Sequence, residues 1–326
     1  MDINLLRKTP DLRGVADIRL ATLDDGPGRG QRILIARNAT GVAFEVAVDR
    51  GFDIASLSFR GINIGWHSPT QMRFPTVDPG SEEGWGFMRN FDGFMVTCGL
   101  DHISRPREID ISHYNHPHLK SKKVPQHGRI STEKARLVGY GVDPESGDVF
   151  CEALVRQASV FGETIELRRR ITVRMFESVL DINDTITNRG FAPTHHAIIY
   201  HLNYGYPFLD DNLEITGLPE HLSAKMVVDP PVPDDKYGEK VDVVESNQLP
   251  QTAPILLANP ALGISVGLTY SHAHLPKLAV WRAYQSGVFA LGIEPRTDAA
   301  ENHPLVQPGE SISHSLRLVM DGERSR

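Results

Sequence analysis

The feature that most constrains how this chain can fold is the close spacing of its short apolar runs. Residues 19–23, 31–36, 43–49, 54–59 and 62–66 follow one another across turns at Asp25-Gly26-Pro27-Gly28, Arg50-Gly51 and Arg60-Gly61. Strands this close, joined by glycine-bearing turns, pack as a sandwich or barrel. Only residues 5–12 have weak helical character, and no sustained 3.6-residue stripe appears before residue 68. The same strand pattern returns at 135–140, 149–159, 164–173, 213–216 and 241–245, and again at 253–259, 263–270, 278–283, 288–293 and 312–320. With no internal repeat and no low-complexity linker, residues 1–326 are expected to form a single large antiparallel all-β domain.

Charge and cysteine usage narrow the class of function. A net charge of −7 disfavours a phosphate-binding surface, so nucleic acid is not expected as a partner. The one basic cluster, Arg168-Arg169-Arg170, lies in an alternating segment and reads as the solvated face of a strand. The longest apolar runs fall short of the roughly 20 residues a membrane helix needs, and no membrane partner is expected. The first residues, MDINLLRKTPDLRG, lack the apolar centre of a secretory signal. Cys98 and Cys151 form no CxxC pair, which points to free thiols in a reducing cytoplasm. Oligomeric state, monomer or dimer, is left open.

Two stretches carry candidate chemistry. In residues 182–212 an alternating segment reaches Asn188-Arg189-Gly190, where Gly190 is expected to supply the positive φ of a tight turn. The run Ala197-Ile198-Ile199-Tyr200 then leads into His201-Leu202-Asn203-Tyr204-Gly205-Tyr206-Pro207. A strand ending this way sets an imidazole at a sheet rim, beside hydrogen-bonding groups. In the second stretch, Val288–Ile293 runs apolar into Glu294-Pro295-Arg296-Thr297, and Pro295 holds Glu294 extended at the strand end. One His and one Glu so placed make an acid and base pair. A packed, hydrogen-bonded histidine without chemistry is the competing reading for His201.

Between the strands lie loops rich in polar groups. Residues 68–89 switch to Pro, Gly, Ser and Glu with Trp85 and Phe87 embedded, and long excursions of this kind carry function or cover it. Arg89-Asn90-Phe91-Asp92-Gly93 reads either as an Asx-turn loop or as fixed donors lining a site. Five histidines fall between His102 and His127, including His113-Tyr114-Asn115-His116-Pro117-His118. The HxH spacing suits a metal on a strand, but Pro117 favours an exposed loop, so no metal site is assigned. In Gln126-His127-Gly128-Arg129 the glycine lets backbone, imidazole and guanidinium approach one ligand closely.

Taken together these segments resemble the galactose mutarotase-like, or aldose 1-epimerase, superfamily. The resemblance rests on Tyr200-His201, on residues 275–281 (LPKLAVW) and on Gly292-Ile293-Glu294-Pro295. It is nearest to the DUF4432-type bacterial branch, through residues 89–93, 97–102, 126–129 and 203–207. The resemblance implies a β-supersandwich with a sugar held on one sheet, Glu294 as general base and His201 as general acid. It further implies that His127 and Arg89 contact the hydroxyls and ring oxygen. Asn90 and Arg129 are read beside them as directional donors, and His102 and Asn203 as further binding candidates. Trp281 or Tyr206 would stack on an apolar sugar face, although plain packing also accounts for Trp281. The family's usual His-Pro-Tyr-Phe-Asn is here His201-Leu202-Asn203-Tyr204-Gly205, and the doubled glycine after its earlier histidine is Gly128-Arg129. Both departures lie where a sugar would sit, so its identity stays open.

Anomer exchange takes one proton from the C1 hydroxyl and gives one to the ring oxygen, which suits a carboxylate and an imidazole and requires no cofactor. Two other readings are a metal-dependent sugar isomerase using the histidines between 102 and 127, and a carbohydrate-binding protein without turnover. Arg89, Arg105, Arg129 and Arg296 around the expected cleft make an anionic sugar a candidate ligand.

Overall fold

The computed structural model describes residues 3–9, 11–250, 253–298 and 305–322. Its strands assemble into two large antiparallel sheets. The ten-stranded sheet runs in the order Asp17–Thr22, Arg32–Arg37, Val42–Ala47, Asp53–Phe59, Met95–Leu100, Ala197–Tyr204, Ala290–Arg296, Lys277–Ala283 and Lys240–Glu245, with Ile62–Asn63 added beside Asp53–Phe59. The eight-stranded sheet runs Glu214–Thr216, Ile255–Asn259, Ile264–Tyr270, Ser311–Gly322, Val179–Asn188, Thr164–Arg174, Asp148–Ala158 and Ala135–Val142. The alternation of the sequence explains the stacking. Phe44, Val46, Ile54 and Leu202 of one sheet share a continuous apolar core with Leu167, Ile171, Ile182 and Leu318 of the other, as in a β-sandwich.

Strand positions follow the apolar runs closely, with instructive exceptions. The run 62–66 shortens to Ile62–Asn63, because Gly65 leaves the strand to bridge Tyr204. The segments on either side of Asn188-Arg189-Gly190 do not form a hairpin: Val179–Asn188 lies in one sheet and Ala197–Tyr204 in the other. Gly190 has no positive φ. Asn188 shapes the turn instead, accepting from the Gly190 amide at 2.9 Å and donating to the carbonyls of Ala192 and Val306 at 2.9 and 2.8 Å. Two elements gave no clear periodic signal, the helix Glu220–Val228 and the hairpin Arg107–Asp110 with Ser121–Val124.

The arginine cluster requires a correction. Arg168 and Arg170 do point outward, each pairing with Glu152, but period-two alternation turns Arg169 into the core, where it is fully buried. Its guanidinium meets Asp184 at 2.9 and 2.7 Å, Asp53 at 3.1 Å and the Thr97 hydroxyl at 2.8 Å. Tyr200 donates its hydroxyl to Asp184 at 2.7 Å. Arg169 and Asp184 belong to the eight-stranded sheet, whereas Asp53, Thr97 and Tyr200 belong to the ten-stranded one, so this ion cluster clamps the two together. A buried charge is tolerated only when paired and hydrogen-bonded in this way. The clamp also fixes the strand whose next residue is His201.

Candidate functional site

His201 and Glu294 are not at strand ends. Both sit inside strands, and the antiparallel register that sets Leu202 against Ile293 and Ile199 against Arg296 places His201 opposite Glu294. The continuous apolar runs concealed an alternation. Ile198, Tyr200, Leu202, Leu291 and Ile293 point into the core between the sheets. Their neighbours Ile199, His201, Asn203, Gly292, Glu294 and Arg296 therefore project from the opposite face. That face carries a second apolar cluster, in which Trp66, Phe87, Phe91 and Ile103 from the loops cover Val96, Cys98, Ile199 and Trp281 of the sheet. Residues from the 68–89 excursion and its flanks thus roof the sheet face, and His201 and Glu294 are each only 4% exposed.

Nε2 of His201 lies 3.1 Å from Oε1 of Glu294. Asn203 turns Oδ1 to Nδ1 of His201 at 2.5 Å while its Nδ2 donates to the Gly93 carbonyl at 3.0 Å. The amide is therefore oriented, Nδ1 carries the imidazole proton and Nε2 presents its lone pair to Glu294. Burial pushes the Glu294 carboxyl up to about 8, against a smaller downward pull from Arg296. Burial also lowers the His201 imidazole to about 3, with Asn203 opposing. The 3.1 Å approach is accordingly a contact between a carboxylic acid and a neutral imidazole rather than an ion pair. Among the described residues Oε1 of Glu294, itself sealed from solvent, has no polar partner besides this imidazole.

The walls of the site are aromatic. Phe91, Trp281 and His127 stand edge-on to His201, with ring centroids at 4.9, 5.2 and 6.1 Å, and Phe87 meets His127 at 5.0 Å. Trp281 is tied by its indole N–H to Glu239 at 2.9 Å, and Trp66 to the Val288 carbonyl at 2.6 Å. His127, at φ 57°, is held well below the usual histidine range, first by burial and then by the nearby His201 and Arg296. Gly292 leaves the room the pair occupies, since a Cβ there would fall 2.8 Å from Oε1 of Glu294 and 3.1 Å from Cε1 of His201.

Of the residues singled out in the sequence, Glu294, His201, Asn203, His127 and Trp281 therefore come together. Contacts of the others lead elsewhere. Arg89 is exposed and pairs with Glu82 at 2.9 Å. Asn90 is buried with Nδ2 on the Val77 carbonyl at 3.1 Å. His102 bonds through Nε2 to the Arg105 carbonyl at 2.8 Å, and Arg129 faces Asp101 and Glu163 at 3.5 and 3.7 Å. Tyr206 is 67% exposed. The five histidines between 102 and 127 do not converge: His116 and His118 lie in the loop of the Arg107–Asp110 hairpin, and His127 lies under the roof. Among the described residues no three His, Cys, Asp or Glu side chains are grouped to hold a metal ion. Sequence reading missed Trp66 and Phe91 as walls; the available signal was that each aromatic flanks the polar excursion of residues 68–89.

A hollow of about 630 Å³ opens elsewhere, among His196, His274, Thr297, Glu310 and His314. Its polar groups are engaged with one another or with backbone: His196 and His314 meet through Nε2 at 3.1 Å, and His274 bonds the Ser313 carbonyl at 2.8 Å. Among the described residues it holds no counterpart to the carboxyl–imidazole pair, so the roofed sheet face is the stronger candidate despite its closure.

The fold is the β-sandwich of galactose mutarotase-like proteins. A Klebsiella pneumoniae structure assigned as an aldose 1-epimerase matches with a TM-score of 0.78 at 18% identity, over 93% of this chain and 83% of that one. The galactose mutarotase-like protein from Clostridium acetobutylicum matches at 0.64 and 13%, over 95% of this chain and 100% of its own. Galactose 1-epimerase from Lactobacillus acidophilus matches at 0.61 and 13%, with the same coverage. At such identities the likeness establishes the fold. Within this class the chain belongs to the DUF4432 family, a domain of unknown function, which matches residues 28–315. No functionally curated protein matches the sequence. Both cysteines are free and buried, and among the described residues no helix is long and apolar enough to cross a membrane.

Proposed function

We propose that this protein interconverts sugar anomers, with Glu294 and His201 as the proton-transferring pair. The observation that carries this reading is the 3.1 Å approach of two buried titratable groups on adjacent strands, with Asn203 fixing the imidazole tautomer. The pair holds one proton between them. Passing it from Glu294 to Nε2 of His201 creates a carboxylate base and an imidazolium acid. The carboxylate takes the C1 hydroxyl proton as the imidazolium protonates the ring oxygen, the bond from C1 to the ring oxygen breaks, and an open-chain aldehyde forms. The proton is then back on Glu294 and His201 is neutral again. Rotation about C1–C2 and reversal of the same transfers close the ring as the other anomer. His127 would donate to a hydroxyl and Trp281 would pack on an apolar ring face. Because the pair is closed over, the aromatic roof has to lift for a sugar to enter.

The test is NMR saturation transfer between anomers over a panel of aldoses and their acidic derivatives. The wild type should exchange at least one of them faster than solvent does, and Glu294→Gln and His201→Asn should each lose ~10²–10⁴-fold while keeping the wild-type circular dichroism. Unchanged exchange in both folded variants would rule the reading out.

A further inference from the structure

The sequence left four arginines as candidates for an acidic substrate, and the structure separates them. Arg89 is paired with Glu82, Arg129 faces Asp101 and Glu163, and Arg105 is exposed. Arg296 differs. It projects from the same sheet face as Glu294, two residues further along one strand and therefore about 7 Å away by the strand repeat. It is partly buried, and among the described residues no carboxylate comes within ion-pair distance of it, although Glu294 and Asp298 act on it from further away. Its neighbour across the strands, Lys277, is already engaged by Asp298 at 3.1 Å and Glu245 at 3.5 Å. The hydrogen bonds of the Arg296 guanidinium are long, 3.2 Å from Nε to the Thr297 carbonyl and 3.4 Å from Nη2 to the Ser104 hydroxyl. Among the described residues three of its five N–H groups make no hydrogen bond, including both on Nη1.

A partly buried guanidinium whose carboxylate neighbour Asp298 is already engaged by Lys277 gains from an anionic ligand that meets it directly. We infer that Arg296 is the specificity residue of this site and that the substrate is an anionic sugar, whose carboxylate or phosphate takes up the free edge of the Arg296 guanidinium while the anomeric carbon lies at Glu294 and His201. An arginine fork matches either group in two parallel hydrogen bonds. The charge balance agrees. Burial keeps Glu294 protonated and His201 and His127 neutral around neutral pH, so Arg296 is the charged group on this face beside the pair, and the carboxylate that acts on it from further along, Asp298, is itself held by Lys277 at 3.1 Å.

This inference rests on reading the site as one for anomer exchange, and the experiment separates the two claims. Anomer exchange is measured on matched sets, a hexose, its uronate and its 6-phosphate, with wild type, Arg296→Gln and Arg296→Lys. The wild type should prefer one anionic member to the neutral hexose. Arg296→Gln should cut that preference by ~10²-fold, the loss expected when one partner of a desolvated charge pair is removed, mainly through KM. Arg296→Lys should recover part of it. Whichever acid is preferred identifies the group recognised. A wild type that favours the neutral hexose, or a preference that Arg296→Gln leaves intact, overturns the assignment. If no sugar is exchanged at all, calorimetric titration of the uronate and the 6-phosphate still decides: saturable binding that weakens in Arg296→Gln supports the anion site, and no binding, or binding unaffected by Arg296→Gln, removes it.

Discussion

Asn203 holds its carbonyl oxygen 2.5 Å from Nδ1 of His201, two residues back on the same strand and facing the same way. Because Nδ2 of that amide is committed to the Gly93 carbonyl, the side chain cannot turn over without losing both bonds. The imidazole tautomer is thus set by the backbone of a neighbouring loop, and Nε2 is the nitrogen left for chemistry.

Asn203→Leu should therefore forfeit part of the ~10²–10⁴-fold that a positioned acid–base group supplies, with little change in KM. Asn203→Asp should place a carboxylate against Nδ1 and raise the His201 pKa, moving the acidic limb of the pH–rate profile upward. A profile identical to wild type in Asn203→Asp would show that this contact does not tune His201.

Glu294 gives a signed dependence of stability on pH. Its folded value of about 8 lies above its ordinary 4.5, so its contribution to stability is whole below about pH 4.5. It is lost as pH rises through 8, because only the unfolded chain ionises freely there. Glu294→Gln cannot ionise and should gain on the wild type across that window, reaching ~4–5 kcal/mol above pH 8. Urea denaturation at pH 5, 7 and 9 measures it, and a constant difference between the two proteins would contradict the raised value.

Gly292→Ala should harm activity more than any other small change near the site. Its Cβ would lie 2.8 Å from Oε1 of Glu294, closer than real contacts allow, so the carboxyl must swing away from His201. Overpacking of this kind costs ~1–3 kcal/mol, readable as a lowered denaturation midpoint alongside lost exchange.

Arg169→Met should destabilise by ~3–5 kcal/mol, because Asp184 and Asp53 would be left buried without their partner. Burial already pushes the Asp53 carboxyl up to about 6, with Arg169 the largest opposing influence. Tyr200→Phe removes one bond to Asp184 and should cost less, ~1–3 kcal/mol. Equilibrium unfolding of both variants checks the order.

Trp66 and Trp281 stand edge-on with ring centroids 6.0 Å apart within the roofed cluster, so opening the roof must change their surroundings. Intrinsic fluorescence should shift saturably with any sugar that is exchanged, and the shift should shrink in Trp281→Phe. An exchanged sugar that leaves emission unaltered would mean entry by another route.

Alternating apolar residues and their glycine turns determined nearly all the strands from the sequence alone, because a half-buried strand repeats every two residues whatever it packs against. His201 and Glu294 were legible as polar interruptions of apolar runs, and Asn203, His127 and Trp281 as companions. Only tertiary structure decided where those residues meet. The strands carrying His201 and Glu294 lie about ninety residues apart in the chain, and it is their register that sets the two side chains opposite each other. Polarity, too, does not reveal which face of a strand is covered. Arg169 is a core residue because Asp53 and Asp184 come to it from distant strands, and His201 is buried because the roof over its sheet face comes from residues 66–103. Pairing across a sheet and covering by a loop depend on three-dimensional partners, which a one-dimensional pattern does not record.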